Sequence, residues 1–513
     1  MNNREGYIFW RLANSFISDH GYRIIQLFEN QKELWLEKIE DKKTPIIRML
    51  LHDLDWSNSM QRDIEFTASN GERVRKQIGR NELNVLNIYV SQFPPVDEYE
   101  FRLTKPFVHP EGNKTAISSI LLAKGAFDLG LAQISERLGR EIHFTVKEDY
   151  PEHEVDDVKK ATMEYAIKKV KTEKDILFNS KPFFTYALIL IQAMMFFWLE
   201  THGGSTNNAT LTEYGAKVNY LIYDGEWWRF ITPVFLHIGF MHLAMNSLAL
   251  YFLGATVERI FGRTRFLIIY LFAGITGGIA SFLFSSTLSA GASGAIYGCF
   301  GALLYFGVRF PKLFSRTMGM NLLVVLGINL VFSFSASGID AASHIGGLIG
   351  GFLAAGIVHF PKQKKRLWQI CFFITSIGIV WGSLYYGFQT SEKTLYEKSV
   401  LNVVQDYVSQ GKYNQAYDIL VKSKEKLSEP SEKIYFLLSF VEIKKNMLSE
   451  AKTHLEKAIK LDSKFDEAYF NLALINMEQH NYEEAKANAE QAVKLKPDNQ
   501  QYSDLVLEIN QHL

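Results

Sequence analysis

Ala341-Ala-Ser-His344-Ile-Gly-Gly347-Leu-Ile-Gly350-Gly351-Phe-Leu-Ala-Ala-Gly-Ile-Val-His359-Phe360 is a run without a single Asp, Glu, Lys or Arg. At about 1.5 Å per residue, a helix of this length reaches across the roughly 30 Å of a bilayer's hydrocarbon. Backbone groups in hydrocarbon must pair within the chain, so the run predicts a membrane-crossing helix. Working outward, six more stretches of the same kind appear, at about 183–199, 236–256, 266–285, 292–309, 320–336 and 367–388. The seven spans are invisible in the average, because the mean hydropathy is only -0.04.

Basic residues give these spans a direction. Lys168, Lys169, Lys171, Lys174 and Lys181 precede the first. Arg259, Arg263 and Arg265 separate the second from the third, and Arg309, Lys312 and Arg316 the fourth from the fifth. Lys362, Lys364, Lys365 and Arg366 separate the sixth from the seventh. The alternate loops Ser285–Gly291 and Ser335–Asp340 carry neither Lys nor Arg. The expectation is a multi-pass plasma-membrane protein with a cytoplasmic N-terminus and an extracytoplasmic C-terminus. No apolar segment opens the chain, so no cleaved signal peptide is expected.

Flanking the spans are two polar regions. Residues 1–180 read as a cytoplasmic α/β domain, with strands expected at Glu33–Ile39, Pro45–Leu54 and Val85–Val90 and helices at Ile117–Leu138 and Val155–Lys174. Loops are marked by Pro94-Pro95 and by the stretch from Pro106 to Asn113. His153, set among Glu152, Glu154, Asp156 and Asp157, has the donor types for a divalent metal, but the stretch reads first as a solvated, charged helix start. Residues 395–513 repeat: Gly411-x-Tyr413-x-x-Ala416 returns as Asn446-x-Leu448-x-x-Ala451 and as His480-x-Tyr482-x-x-Ala485. The spacing of about 34 residues is the tetratricopeptide period. Ala458 and Ala492 sit seven residues after the second and third alanines, where small side chains let paired helices close up. Such arrays present a concave surface to a protein or peptide ligand.

Lys and Arg number 55, as do Asp and Glu, so no global field points to nucleic acid as a partner. The two cysteines, Cys299 and Cys371, lie in apolar runs and offer no disulfide framework. No metal or cofactor motif stands out.

Polar residues inside spans are expensive and usually mark function. His242 and Asn246 come early in the second span, Ser293 opens the fourth and His344 lies near the start of the sixth, so all four lie at one depth below the outer face. Glycines around Ser293 in Gly291-Ala-Ser-Gly294 free its hydroxyl at a helix N-terminus, where unpaired N–H groups favour developing negative charge. His344 offers a base for the Ser293 proton. Tyr297, one turn after Ser293, faces the same way and can pack on the imidazole. Gly347 and Gly351 allow close helix approach below His344. His242 and Asn246, four apart, point together and could donate to an oxyanion beside the Ser293 amide. No carboxylate is placed to orient His344, since Asp340 lies at the span's outer edge. A serine–histidine pair follows.

These residues resemble the rhomboid intramembrane serine proteases. The resemblance is carried by Trp228-Arg229, His242-Leu-Ala-Met-Asn246, Gly291-Ala-Ser293-Gly294 with Tyr297, and His344-Ile-Gly-Gly347 with Gly351, across about 200 residues. It implies a six-helix core, here with a seventh span, and an active site opening to a water-filled cavity. It also implies Ser293 as nucleophile, His344 as general base and acid, His242 and Asn246 as oxyanion donors, and membrane-protein substrates cut near the outer face. Trp228, Arg229 and Glu258 match family positions that shape the outer loop and its anchor. The whole layout resembles that of family members with flanking domains: an N-terminal soluble α/β domain (1–180), a rhomboid membrane domain (181–389) and a C-terminal α-helical tetratricopeptide solenoid (395–513). A silent adaptor would be favoured by loss of the serine or histidine, and a transporter by internally repeated halves; the sequence has neither feature. A metalloprotease is disfavoured by the lack of His-Glu-x-x-His.

Overall fold

The computed structural model describes residues 3–112, 114–336, 338–361, 363, 365–390 and 392–513. Asn113, Lys362 and Lys364, and Ser337 within the Ser335–Asp340 loop, lie outside the described residues. The chain divides into two compact units, Met1–Leu177 and Phe178–Leu513.

The first unit is built on a six-stranded sheet of β1 (Arg23–Leu27), β2 (Glu33–Glu37), β3 (Ile46–Leu51), β4 (Leu83–Val90), β5 (Phe107–Val108) and β6 (Thr115–Leu122), in the order β1-β2-β3-β4-β6-β5. Strands β3, β4 and β6 run parallel at its centre. Helices α1 (Asn3–Ser18), α2 (Ser57–Gln77), α3 (Glu100–Thr104), α4 (Phe127–Leu138) and α5 (Glu152–Leu177) complete the unit. The helix expected from Ile117 is corrected: residues up to Leu122 form β6, and only Phe127–Leu138 is helical. β6 is largely buried on both faces and does not alternate polar with apolar, so it lacks the two-residue period that marks a half-exposed strand. His153 stands exposed in the first turn of α5, and among the described residues no cluster could hold a metal ion.

In the second unit, six helical stretches are long and apolar enough to cross a bilayer: Phe184–Thr201, Gly239–Phe261, Arg263–Phe284, Pro311–Ser335, Ala341–Val358 and Arg366–Gln389. In order, the elements are α6 (Phe184–Thr201), α7 (Asn208–Glu213), α8 (Asn219–Tyr223), α9 (Gly239–Ala249), α10 (Ala255–Phe261), α11 (Arg263–Phe284), α12 (Ser293–Arg309), α13 (Pro311–Phe314), α14 (Met320–Ser335), α15 (Ala341–Val358) and α16 (Arg366–Thr390). A π turn, Leu250–Gly254, joins α9 to α10 in one continuous rod. Helix α12, at 17 residues, is shorter than these six and is buried along most of its length.

Glycine explains how α11, α12 and α15 pack. A Cβ added to Gly347 would collide with the Gly294 carbonyl, one on Gly351 with the Gly298 carbonyl, and one on Gly301 with the Leu348 carbonyl. These helices therefore cross backbone on backbone, as small residues permit in membranes.

Glu258 holds the other end of the bundle. Its buried carboxylate accepts from the amides of Phe183 (2.7 Å), Phe184 (2.9 Å) and Thr185 (2.8 Å) and from the Thr185 hydroxyl (2.7 Å). This caps the N-terminus of α6, so Glu258 does not anchor the loop that follows α6, contrary to the sequence expectation. Glu258→Ala takes the acceptor from four donors, two of them the buried amide and hydroxyl of Thr185; a loss of about 3 kcal/mol is expected, read as a lower unfolding temperature in detergent. Glu258→Gln should lose less.

The repeats follow as α17 (Glu392–Ser409), α18 (Tyr413–Lys426), α19 (Glu432–Lys444), α20 (Leu448–Leu461), α21 (Asp466–Glu478), α22 (Tyr482–Leu495) and α23 (Gln500–Asn510). Ala416, Ala451, Ala458, Ala485 and Ala492 are all fully buried. The equivalent turn residues Gly411, Asn446 and His480 share a left-handed backbone, with φ of 70°, 61° and 61°. The array is not a loose appendage. Val218 and Tyr220 of the loop after α6 share a core with Tyr396, Val400, Val404 and Leu420. Asn208 donates to Asp406 (2.7 Å), and Lys426 pairs with Asp224 (2.6 Å).

Candidate active site

Four helix or loop ends meet at one level. Gly291, with φ of 145°, turns the chain into α12, so that Ser293 is its first residue and the side chain stands at the opening of the helix. On the neighbouring α15, Asp340 caps the N-terminus by accepting from the Ser343 amide at 3.0 Å. His344 follows in the first turn, buried against α12. Its Nε2 lies 2.8 Å from the Ser293 hydroxyl. The Tyr297 ring stacks on the imidazole, with centroids 4.2 Å apart and planes 11° from parallel. Gly294 lies directly beneath, and its small size lets α15 approach.

His242 enters from α9. A Cβ on Gly291 would fall 2.9 Å from its Nε2 and 3.8 Å from the Ser293 hydroxyl, so the ring borders the serine across that glycine. The His242 Nδ1 accepts from the Ile238 amide at 3.3 Å, which leaves Nε2 free to carry a proton towards the site. Asn246 is buried on the same face, but its amide donates to the His242 carbonyl at 2.9 Å. It must turn away from that carbonyl to serve an oxyanion.

Two participants escaped the sequence reading. His237 is fully buried, accepts from the Ala292 amide (3.4 Å) and meets His242 edge to face at 5.4 Å. The signal was a second histidine, five residues before His242, in the apolar stretch Phe235-Leu-His-Ile238. Ser333, on α14, contacts both His344 and Tyr297. No spacing rule ties it to either.

The loop from residue 202 to 238 is pinned beside this site. Arg229, buried, donates to the carbonyls of Thr212 and Ala216, both at 2.8 Å, and to Glu226 at 2.6 Å. Trp228 is exposed. The buried Lys217 amine reaches Asn219 and the carbonyls of Ser285 and Thr287. Its backbone pairs with Ser289, two residues before Gly291, so the loop and the approach to Ser293 are stitched together.

Chemically, a hydroxyl next to an imidazole nitrogen, at a helix N-terminus with a second imidazole nearby, has the parts for acyl transfer. Residues 224–361 match the Rhomboid domain family, and residues 432–465 and 466–499 each match the Tetratricopeptide repeat. The chain is 38% identical over 476 residues to rhomboid protease GluP of Bacillus subtilis, with 89% of each chain covered. A putative rhomboid protease of the same organism, YdcA, is 34% identical over 36% of this chain and 92% of its own. Rhomboid protease AarA of Providencia stuartii is 26% identical over 42% of this chain and 87% of its own.

Proposed function

The chain belongs to the rhomboid family of intramembrane serine proteases, and from that premise we propose that Ser293 and His344 form its catalytic dyad. The observation that carries this reading is the 2.8 Å contact between the Ser293 hydroxyl and Nε2 of His344. As Oγ attacks the scissile carbonyl, its proton passes to Nε2. The imidazolium then gives that proton to the departing amine, and water repeats the sequence on the acyl-enzyme. The developing oxyanion is met by the Ser293 amide, by His242 and, after rotation, by Asn246. Tyr297 holds the plane of the imidazole, and Gly294 permits the helix contact that sets the distance.

Substrates are membrane proteins, cut near the outer face. Supporting this depth, Ser293, His242 and His344 all lie at the N-terminal ends of their helices. The basic residues Arg259, Arg263, Arg309 and Lys312 cluster at the opposite ends, which the charge rule assigns to the cytoplasm. By the same rule α12 is a seventh span, residues 1–180 are cytoplasmic and the repeats are extracytoplasmic. A helical substrate ties up its carbonyls, so segments that unwind easily at that depth are preferred.

A serine-directed fluorophosphonate tests the dyad. The full chain in detergent should label at Ser293 and lose both label and cleavage of a transmembrane reporter in Ser293→Ala. Undiminished cleavage by that variant would overturn the reading.

The repeats take a protein or peptide ligand, and their first hairpin also supports the 202–238 loop. Truncation at residue 390 strips the cover from Val218 and Tyr220 and is expected to slow cleavage of every substrate several-fold. Truncation after Lys445 keeps α17–α19 and should affect only substrates captured by the array. Equal losses in both truncations, across all substrates, would argue against the supporting role.

A further inference from the structure

We propose that Ser333 is a positioning residue that fixes the tautomer of His344, an inference that rests on the Ser293–His344 dyad. Ser333 is buried near the end of α14, a helix that supplies neither a dyad residue nor an oxyanion donor. Its Oγ lies 2.7 Å from Nδ1 of His344, 2.8 Å from the Tyr297 hydroxyl and 2.7 Å from the Asn329 carbonyl.

A serine hydroxyl has one proton and two lone pairs. The Asn329 carbonyl can only accept, and two oxygens at 2.7 Å without a proton between them would repel. The Ser333 proton therefore points at Asn329, and both lone pairs remain for partners that donate. Those partners are the Tyr297 O–H and the Nδ1–H of His344. With its proton on Nδ1, the neutral imidazole presents a bare Nε2 to Ser293, the form a general base requires. The opposite tautomer would aim an N–H at the serine hydroxyl and could not take its proton. When the Ser293 proton arrives on Nε2, the Nδ1–H stays in place against the Ser333 oxygen, which stabilises the cation that forms.

Among the described residues, no carboxylate is hydrogen-bonded to His344. Asp340 is committed to the Ser343 amide and the Ser281 hydroxyl. Ser333 therefore stands where a triad enzyme keeps its acid, as a neutral acceptor with its lone pairs directed by a third group.

The test uses the full chain with Ser333→Val and Ser333→Thr, nearly equal in volume and differing by the hydroxyl. Ser333→Val is expected to lower kcat about 10- to 100-fold with KM within twofold, and Ser333→Thr to restore most of it. Nitrogen-15 NMR of labelled histidine, with the His344 signals assigned by their loss in His344→Ala, should show a protonated Nδ1 in the parent. It should show a growing Nε2–H population in Ser333→Val. Wild-type kcat in Ser333→Val, or a lowered kcat with the tautomer unchanged, would overturn the proposal; the latter would mean that Ser333 only fastens α14. Ser333→Val active beside an inactive Ser293→Ala would sink the positioning role alone, whereas an active Ser293→Ala would sink the dyad.

Discussion

Replacing His344 with alanine should lower kcat by about 10⁴-fold or more, and adding Ser293→Ala should cost almost nothing further. A nucleophile and its base act as one unit: without the base the serine keeps its proton, and without the serine the base has nothing to activate. Nε2 of His344 is the group within hydrogen-bond reach of that hydroxyl, at 2.8 Å. The residual rate should come from the His242 side and the helix N-terminus, which still polarise a bound carbonyl. Single-turnover cleavage of a reporter in liposomes, for the two single variants and the double, measures the coupling. Losses that multiplied would mean that the two groups act in separate steps, and the dyad would fail.

Gly347→Val should be nearly as damaging, without touching either reacting group. A Cβ at Gly347 would run into the Gly294 carbonyl and backbone, and backbone has no rotamer by which to retreat. The helices α12 and α15 must therefore separate, or unfold, by more than the few tenths of an ångström that a hydrogen bond tolerates. The expected result is a loss of about 3 kcal/mol or more in stability, in the range of overpacked cores, together with loss of fluorophosphonate labelling. Gly378→Val on α16 is the control, since a Cβ there meets nothing within 4 Å. A stable, fully active Gly347→Val protein would refute the backbone-on-backbone account.

Much of this architecture was legible from the sequence, for reasons that differ by region. The apolar runs could be read because hydrocarbon leaves the backbone a single option, and the repeats because their alanines recur at one period. The pair Ser293 and His344 stood out because a polar group in lipid is costly unless used. The reading failed where the deciding partner is distant. Ile117-Ser-Ser-Ile-Leu-Leu122 does not alternate polar with apolar, so only its pairing with β4 makes it a strand. Ser333 is one of many serines in a span, and its meaning lies in the 2.7 Å contact with a residue on another helix. The docking of Val218 and Tyr220 against Tyr396 joins residues almost 180 apart, with no local pattern to announce it. Glu258 matches a family position assigned to the outer loop, yet its carboxylate binds at the start of α6.

The π turn at Leu250–Gly254 gives the rod from Gly239 to Phe261 one residue more than a regular helix would use for that turn. His242 and Asn246 lie on one side of this insert, and Glu258 lies on the other. Excising one residue there would restore uniform winding and swing one half against the other by about 100°. Either His242 would leave Gly291 or Glu258 would leave the amides of α6. The insert is thus a phase adjuster, through which a single rod serves two unrelated appointments at opposite ends of the bundle.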